Sequence, residues 1–201
     1  MLSFLFGLLA SMVLLCSCSG SGEGRWPDKI LFDFETDEAL DRLHWKCHAV
    51  YALSGIHATH GGRSLELTLY PSDYPGVTPL LDFHDWRAYR FFCFDMYNPY
   101  DKEALFTLRI DDRKEAPDYQ DRVNRKVILS PGMNHVEIPL YGLATSGGKR
   151  MVNLKTIERF LLFQARPEEK RRFYLDHVRL VAAPVNRLGD GTASSSPGDA
   201  K

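Results

Sequence analysis

Residues 105–113 read LFTLRIDDR, and their alternation decides how the rest of the chain is read. Phe106, Leu108 and Ile110 alternate with Thr107, Arg109 and Asp111, the period of two that marks a strand with one apolar and one polar face. The pattern recurs on both sides. ILFDFE (30–35) sets Ile30, Phe32 and Phe34 against Leu31, Asp33 and Glu35, and RSLELTLY (63–70) puts Leu65, Leu67 and Leu69 on one face. YRFFCFDMYNP (89–99) is an aromatic strand stopped at Asn98-Pro99, and RVNRKVILSPG (122–132) runs into a Pro131-Gly132 turn. MNHVEIPL (133–140), ERFLLFQARP (158–167) and FYLDHVRLVA (173–182) follow. Short strands broken by Gly, Pro, Asn and Asp predict an all-β fold, an antiparallel β-sandwich, with one or two short helices. The helical candidates are TDEALDRLHW (36–45), with Thr36 as a possible N-cap, and a turn opening at Asn153.

The 201 residues carry a net charge of −1 and no polybasic run, which argues against a nucleic-acid partner. MLSFLFGLLASMVLLCSCSG (1–20) reads as a secretory apolar region, too short for a membrane span. Its end, Leu15-Cys16-Ser17-Cys18, resembles a bacterial lipobox, although Cys16 departs from the usual small residue and the first residues lack Lys or Arg. That resemblance implies cleavage and lipidation at Cys18, and hence a lipid-anchored protein of the bacterial cell envelope. The other reading is an ordinary signal peptide cut near Ser19 or Gly20. The expected organisation is a signal peptide and lipidation site over 1–18, a flexible Gly/Ser tether over 19–28, one sandwich domain over 29–183 and a disordered tail over 184–201. Cys47 and Cys93 either pair, as exported cysteines can, or remain two buried thiols.

Several segments occur in a suggestive order: DFET (33–36), HATHGGRSLELTL (57–69), DWRAYRFFCFDMYNP (85–99), LFTLRIDDR, LSPGMNHVEIPL (129–140) and FYLDHVRL (173–180). Together they resemble the galactose-binding-like jelly roll of bacterial carbohydrate-binding modules, and are similar to the related complex I intermediate-associated sandwich. The resemblance covers nearly all of residues 29–182. It implies a structural calcium joining Glu35 near the first strand to Asp176 in the last, helped by carbonyls of the His60–Arg63 turn, since Ca²⁺ takes six to eight oxygen ligands. The alternative is that Asp176 accepts backbone N–H groups or pairs with Arg63, because a buried carboxylate needs a partner.

The resemblance also implies a ligand face on one sheet. Thr107, Arg109 and Asp111 would point outward, with Gln164 and Arg166 at comparable positions opposite Leu161, Phe163 and Ala165. Sugars are held by planar polar side chains that bond hydroxyls and by rings that stack on C–H faces. Arg109, Asp111, Gln164 and Arg122 supply the polar groups, and Tyr74 and Tyr119 the rings; Trp86 and Trp45 are expected to pack in the structure. The competing reading is a wet face of cross-strand salt bridges. Asp111, Asp112, Asp118 and Asp121 offer carboxylates for glycoside hydrolysis, which needs two about 5–10 Å apart, but no nucleophile or phosphate-binding motif accompanies them. The expected function is therefore a non-catalytic envelope lipoprotein that binds an oligo- or polysaccharide. The alternative is an assembly module that binds another envelope protein.

Overall fold

The computed structural model describes residues 27–44, 48–115 and 117–182. The leader with Cys18, the tether up to Trp26, the tail beyond Ala182, Trp45 and Cys47 lie outside the described residues, and with them the lipidation and disulfide expectations; Asp28, at the tether's end, accepts the Ala182 N–H. The described elements are β1 (Lys29–Phe32), α1 (Glu38–Asp41), β2 (Leu43–His44), β3 (Ala49–Ser54), β4 (Ser64–Leu69), β5 (Gly76–Pro79), β6 (Tyr89–Asn98) and β7 (Ala104–Asp111). A single 3₁₀ turn (Tyr119–Asp121), β8 (Val123–Leu129), β9 (Gly132–Pro139), β10 (Arg159–Phe163) and β11 (Arg171–Ala182) complete the chain. One sheet runs β3-β4-β11-β6-β9 with β1 also on β11; the other runs β2-β5-β10-β7-β8. All named pairings are antiparallel, so the all-β sandwich read from the alternation is the fold.

The core lies where the apolar faces of the two sheets meet. Leu65, Leu67 and Leu69 of β4 and Phe106, Leu108 and Ile110 of β7 are fully buried, as their alternation required. Aromatic rings tie the layers together: Phe106 of β7 meets Phe173 of β11 at 4.8 Å between centroids, and Phe92 of β6 meets Phe160 of β10 at 5.0 Å. Trp86 is completely buried, stacks on Phe92 at 5.2 Å and donates its indole N–H to the Phe83 carbonyl, so it is structural. Each such ring contributes about 1.5–3 kcal/mol through burial.

Three local features refine this reading. The helix from Thr36 is a single turn capped by Asp37 without a side-chain hydrogen bond, because the chain is drawn into β2 at Leu43. Asn153 opens only a turn, closed by Thr156 N–H donating to its carbonyl. In β11 the strict alternation fails at a bulge between Asp176 and Arg179, with His177 at φ 48°. The extra residue shifts the pattern by one, so that Val178 joins Phe173 and Leu175 in the core while His177 turns outward. Cys93 is a buried free thiol whose pKa is pushed up to about 11 by burial.

Candidate functional site

The register of the second sheet builds a cleft on its outer face. Thr107 and Arg109 of β7 stand beside Phe163 and Leu161 of β10 and beside Lys126 and Asn124 of β8. Gly76 of β5 lies opposite Phe163. A Cβ at Gly76 would sit 2.3 Å from the Leu162 carbonyl oxygen and 2.5 Å from Phe163 Cβ, so the strand approaches closely only because the residue is glycine. These residues form the floor of a cleft of about 430 Å³, flanked by Tyr74, Tyr119, Arg122 and Arg125. A second depression of about 480 Å³, lined by His44, Lys114, Glu158 and Arg159, shares Thr78, Arg109 and Leu161 with the first, so the two form one groove across the sheet.

Four of the six ligand residues expected from the sequence meet here: Arg109, Arg122, Tyr74 and Tyr119. The two tyrosines are well exposed, at 60% and 59%. Tyr74 stands edge-on to Phe163 at 5.6 Å, and the Arg122 guanidinium lies 5.7 Å from the centre of the Tyr119 ring. The segment that carries Tyr119 and Arg122 is fastened to the 145–150 loop. Gly147 N–H donates to the Gln120 carbonyl and Ser146 N–H to that of Arg122. Arg150 closes the join with a forked pair of hydrogen bonds to Asp112 at 2.6 and 2.8 Å and another to Asp121. Burial works against ionising Asp112, yet the bonds from Arg150 and the Asn153 N–H outweigh it and hold its pKa below the usual value.

The remaining two expected contacts are corrected. Asp111 shares the face of Arg109 but is fully buried beneath it. It accepts from Arg109 Nε at 2.7 Å and Nη2 at 2.6 Å, and from Arg159 Nε at 2.7 Å, so its oxygens orient two guanidiniums rather than a ligand. Arg109 and Asp111, on one strand face, thus play different parts: Asp111 is a buried anchor and Arg109 lines the cleft. Gln164 faces the other way. The pairing Leu161↔Arg109 and Phe163↔Thr107 puts the apolar residues of β10 on the outer face, and Gln164 is buried with its amide N–H donating to the Leu105 carbonyl at 3.4 Å. Arg166 is exposed and paired with Asp73.

Sequence reasoning passed over Thr78, Leu161, Phe163, Asn124, Arg125 and Lys126, all of which line the cleft. Thr78 Oγ1 and Arg122 Nε are buried polar atoms without a hydrogen-bond partner in the protein, an unusual condition for native structures. Arg122 is pulled below its ordinary pKa first by burial and then by the repulsion of Arg109.

The residues expected to hold calcium lie elsewhere, Asp176 in β11 of the other sheet and Glu35 in the loop after β1. Glu35 accepts the Gly62 N–H at 3.0 and 3.1 Å and the Arg63 N–H at 2.9 Å, which keeps its pKa low. Asp176 accepts from Thr59 N–H at 2.6 Å, His60 N–H at 3.0 Å and His177 N–H at 2.7 Å. Gly61, at φ 66°, brings the turn so close that a Cβ there would lie 2.4 Å from Glu35 Cδ. Both carboxylates therefore face N–H donors along the 59–63 turn, and Arg63 pairs with Asp37 instead. A calcium ion takes oxygen ligands, so this donor set does not fit it. Among the described residues no group of three or more His, Cys, Asp or Glu is placed to hold a metal.

No protein-family model and no curated protein matches the chain. Solved structures share its fold. The Family 11 Carbohydrate-Binding Module from Clostridium thermocellum, in complex with a β-1,3-1,4-mixed-linked tetrasaccharide, aligns with 78% of this chain and 96% of its own at TM-score 0.56 and 17% identity. The CBM22-1 xylan-binding domain from Paenibacillus barcinonensis aligns with 78% of this chain and 96% of its own at TM-score 0.55 and 14% identity. An exo-beta-agarase reaches TM-score 0.63 and 18% identity over 78% of this chain, which spans only 26% of that enzyme's length. At these identities the likeness establishes the fold: the described domain is a β-sandwich of the kind found in carbohydrate-binding modules.

Proposed function

We propose that the domain binds a glycan chain in the cleft across β5, β10, β7 and β8 and performs no chemistry of its own. The observation that carries this reading is the meeting of two exposed tyrosines, an apolar floor of Leu161 and Phe163, and the guanidiniums of Arg109 and Arg122 in one groove. Rings and apolar side chains suit the C–H faces of a pyranose, and guanidiniums and hydroxyls suit its hydroxyl groups. The sandwich fold shared with modules that bind oligosaccharides supports it. The paired carboxylates of the IDDR segment beside the cleft are held by arginines: Asp111 by Arg109 and Arg159, Asp112 by Arg150. An acid so clamped is poorly suited to deliver or take a proton, which favours binding over hydrolysis.

The lipobox-like Leu15-Cys18 segment supports a lipid anchor that holds this domain at the bacterial envelope; Cys18→Ala should then move the protein from the membrane to the soluble fraction. A glycan array on the full chain tests the binding reading, with Tyr74→Ala and Tyr119→Ala beside it. Both side chains are exposed, so the variants should fold and lose the bound glycans. Binding that survives in both variants would place the site elsewhere. A second reading, an assembly surface for an envelope protein, is favoured by one feature. Leu105 and Ile128, paired across β7 and β8, are 50% and 61% exposed on the same face as the cleft. Ile128→Lys would abolish such a complex and leave glycan binding intact.

A further inference from the structure

The charge of the cleft is at odds with the charge of the chain. The protein as a whole carries a net charge of −1, yet the lining of the cleft flanked by Tyr74 and Tyr119 contains Arg109, Arg122, Arg125 and Lys126 and no Asp or Glu, and the adjoining depression adds Lys114 and Arg159 against Glu158. Neighbouring carboxylates offset this only in part. Asp111 is shared between Arg109 and Arg159, which leaves one positive charge over. Asp121 is taken by Arg113 and Arg150, and Asp73 by Arg166. Arg125 and Lys126 have no ion-pair partner among the described residues, and the Arg122 guanidinium donates one hydrogen bond, to the Pro117 carbonyl at 3.4 Å, and lies over the Tyr119 ring, with its Nε unpartnered. Burial and then Arg109 disfavour the charged form of Arg122, and together they outweigh Asp111, Tyr119 and Asp118, which favour it. Packing like charges around one apolar groove is unfavourable in the free protein and becomes favourable when an anion enters.

We propose that the cleft takes an acidic polysaccharide, its carboxylate or sulfate groups set against Arg122, Arg125 and Lys126 while its sugar faces lie along Tyr74, Tyr119 and Phe163. This rests on the glycan reading above and narrows it. A guanidinium with free donors suits the fork of a carboxylate or sulfate better than the single hydroxyls of a neutral glucan. Arg125 and Lys126 face water on an edge strand and add long-range attraction that salt will screen.

The test is affinity electrophoresis and calorimetry on the full chain against four polymers. Sodium polygalacturonate and a sulfated carrageenan represent the two acidic sources, mixed-linked β-glucan is neutral, and sodium polyglutamate is a polyanion without sugar. One or both acidic glycans should bind at least tenfold tighter than the β-glucan at low salt, and the polymer that binds tells carboxylate from sulfate. The Arg125→Gln/Lys126→Gln double variant should weaken that binding about tenfold with its melting temperature unchanged, as expected for two exposed charge contacts. Tyr119→Ala should weaken it as well. Equal or tighter binding of neutral β-glucan would overturn this inference and leave the glycan reading standing. Polyglutamate binding as tightly as the acidic glycans would reduce the site to bare charge and overturn it too, as would a double variant that binds undiminished. No binding to any of the four would count against both.

Discussion

Asp111 offers the sharpest test of how this face is built, because a solvated salt bridge and a buried anchor predict different costs for its loss. Its side chain is completely buried, and it receives strong charge-assisted bonds from two guanidiniums whose own side chains keep 15% and 31% of their exposure. Removing one partner of a fully buried ion pair costs about 3–5 kcal/mol. Here the partners left behind can still reach water, which lowers the expectation to about 2–3 kcal/mol for Asp111→Ala or Asp111→Asn. For a domain of this size that is a fall of roughly 5–10 °C in melting temperature. Arg159→Ala should cost less, about 1 kcal/mol, because Asp111 keeps its fork with Arg109. Urea unfolding followed by tryptophan fluorescence supplies the free energies, and an Arg109→Ala/Asp111→Ala double-mutant cycle supplies the coupling, expected to exceed about 1 kcal/mol. A loss for Asp111→Ala below about 0.5 kcal/mol, with no coupling to Arg109, would mean that the pair is surface solvation, and the argument that Asp111 orients the cleft's arginine would fall.

Other expectations follow from single features of the structure. Gly76→Ala must push a methyl group into the Leu162 carbonyl and Phe163, so it should cost about 1–3 kcal/mol and narrow the cleft, read as a lower melting temperature together with weaker glycan binding. Burial, Arg179 and His60 all depress the pKa of His177, so the unfolded chain takes up that proton first. Its contribution to stability should be present above about pH 6.5 and be lost as pH falls through the folded-state value, a step that His177→Gln removes from urea midpoints measured against pH. Asp112 is held low by Arg150 and Asp95 by Thr59 and His135, in both cases against the opposing effect of burial; stability they confer should persist above about pH 4 and decline below it as the folded carboxylates take up protons. Because Glu35 and Asp176 face N–H donors, melting curves in EDTA and in millimolar calcium should superimpose; a calcium-dependent rise would show that the 59–63 turn rearranges to present oxygens.

What the sequence made legible was what strict alternation encodes. In LFTLRIDDR and SLELTL one parity is apolar and the other is not, so one assignment buries the right side chains, and the structure has that assignment. In FLLFQAR both parities are apolar: Phe160 and Leu162 compete with Leu161 and Phe163 for the core, and the pattern alone does not choose. Reading Leu161 and Phe163 inward sent Gln164 to the ligand face. The register against β7 does the opposite and supplies the cleft with its apolar floor. The β11 bulge has the same character, since one inserted residue at His177 reverses every later side chain and nothing in DHVRL announces it. Tyr74, Tyr119 and Arg122 were legible for a different reason. They stand in polar turns, and their meeting depended only on those turns lying at the rim of one sheet.

Lys126 and Arg125 show why the character of the site was harder to read than its position. In RVNRKVILSPG they look like the ordinary charged residues of an edge strand, the kind that discourages sheet-to-sheet association. Their meaning changes only through β8 pairing with β7, which puts Lys126 beside Thr107 and Asn124 beside Arg109. It changes again because the acids of the adjoining IDDR segment are turned to other tasks: Asp111 is pulled beneath Arg109, and Asp112 toward Arg150. On the sequence, residues 109–113 are a balanced run of two cations and two anions. In the fold, the anions are drawn under or away from the surface and the cation Arg109 stays at it. A neutral stretch of chain thus yields a positively charged surface, and the charge of a binding face follows from which partners are buried rather than from which residues are present.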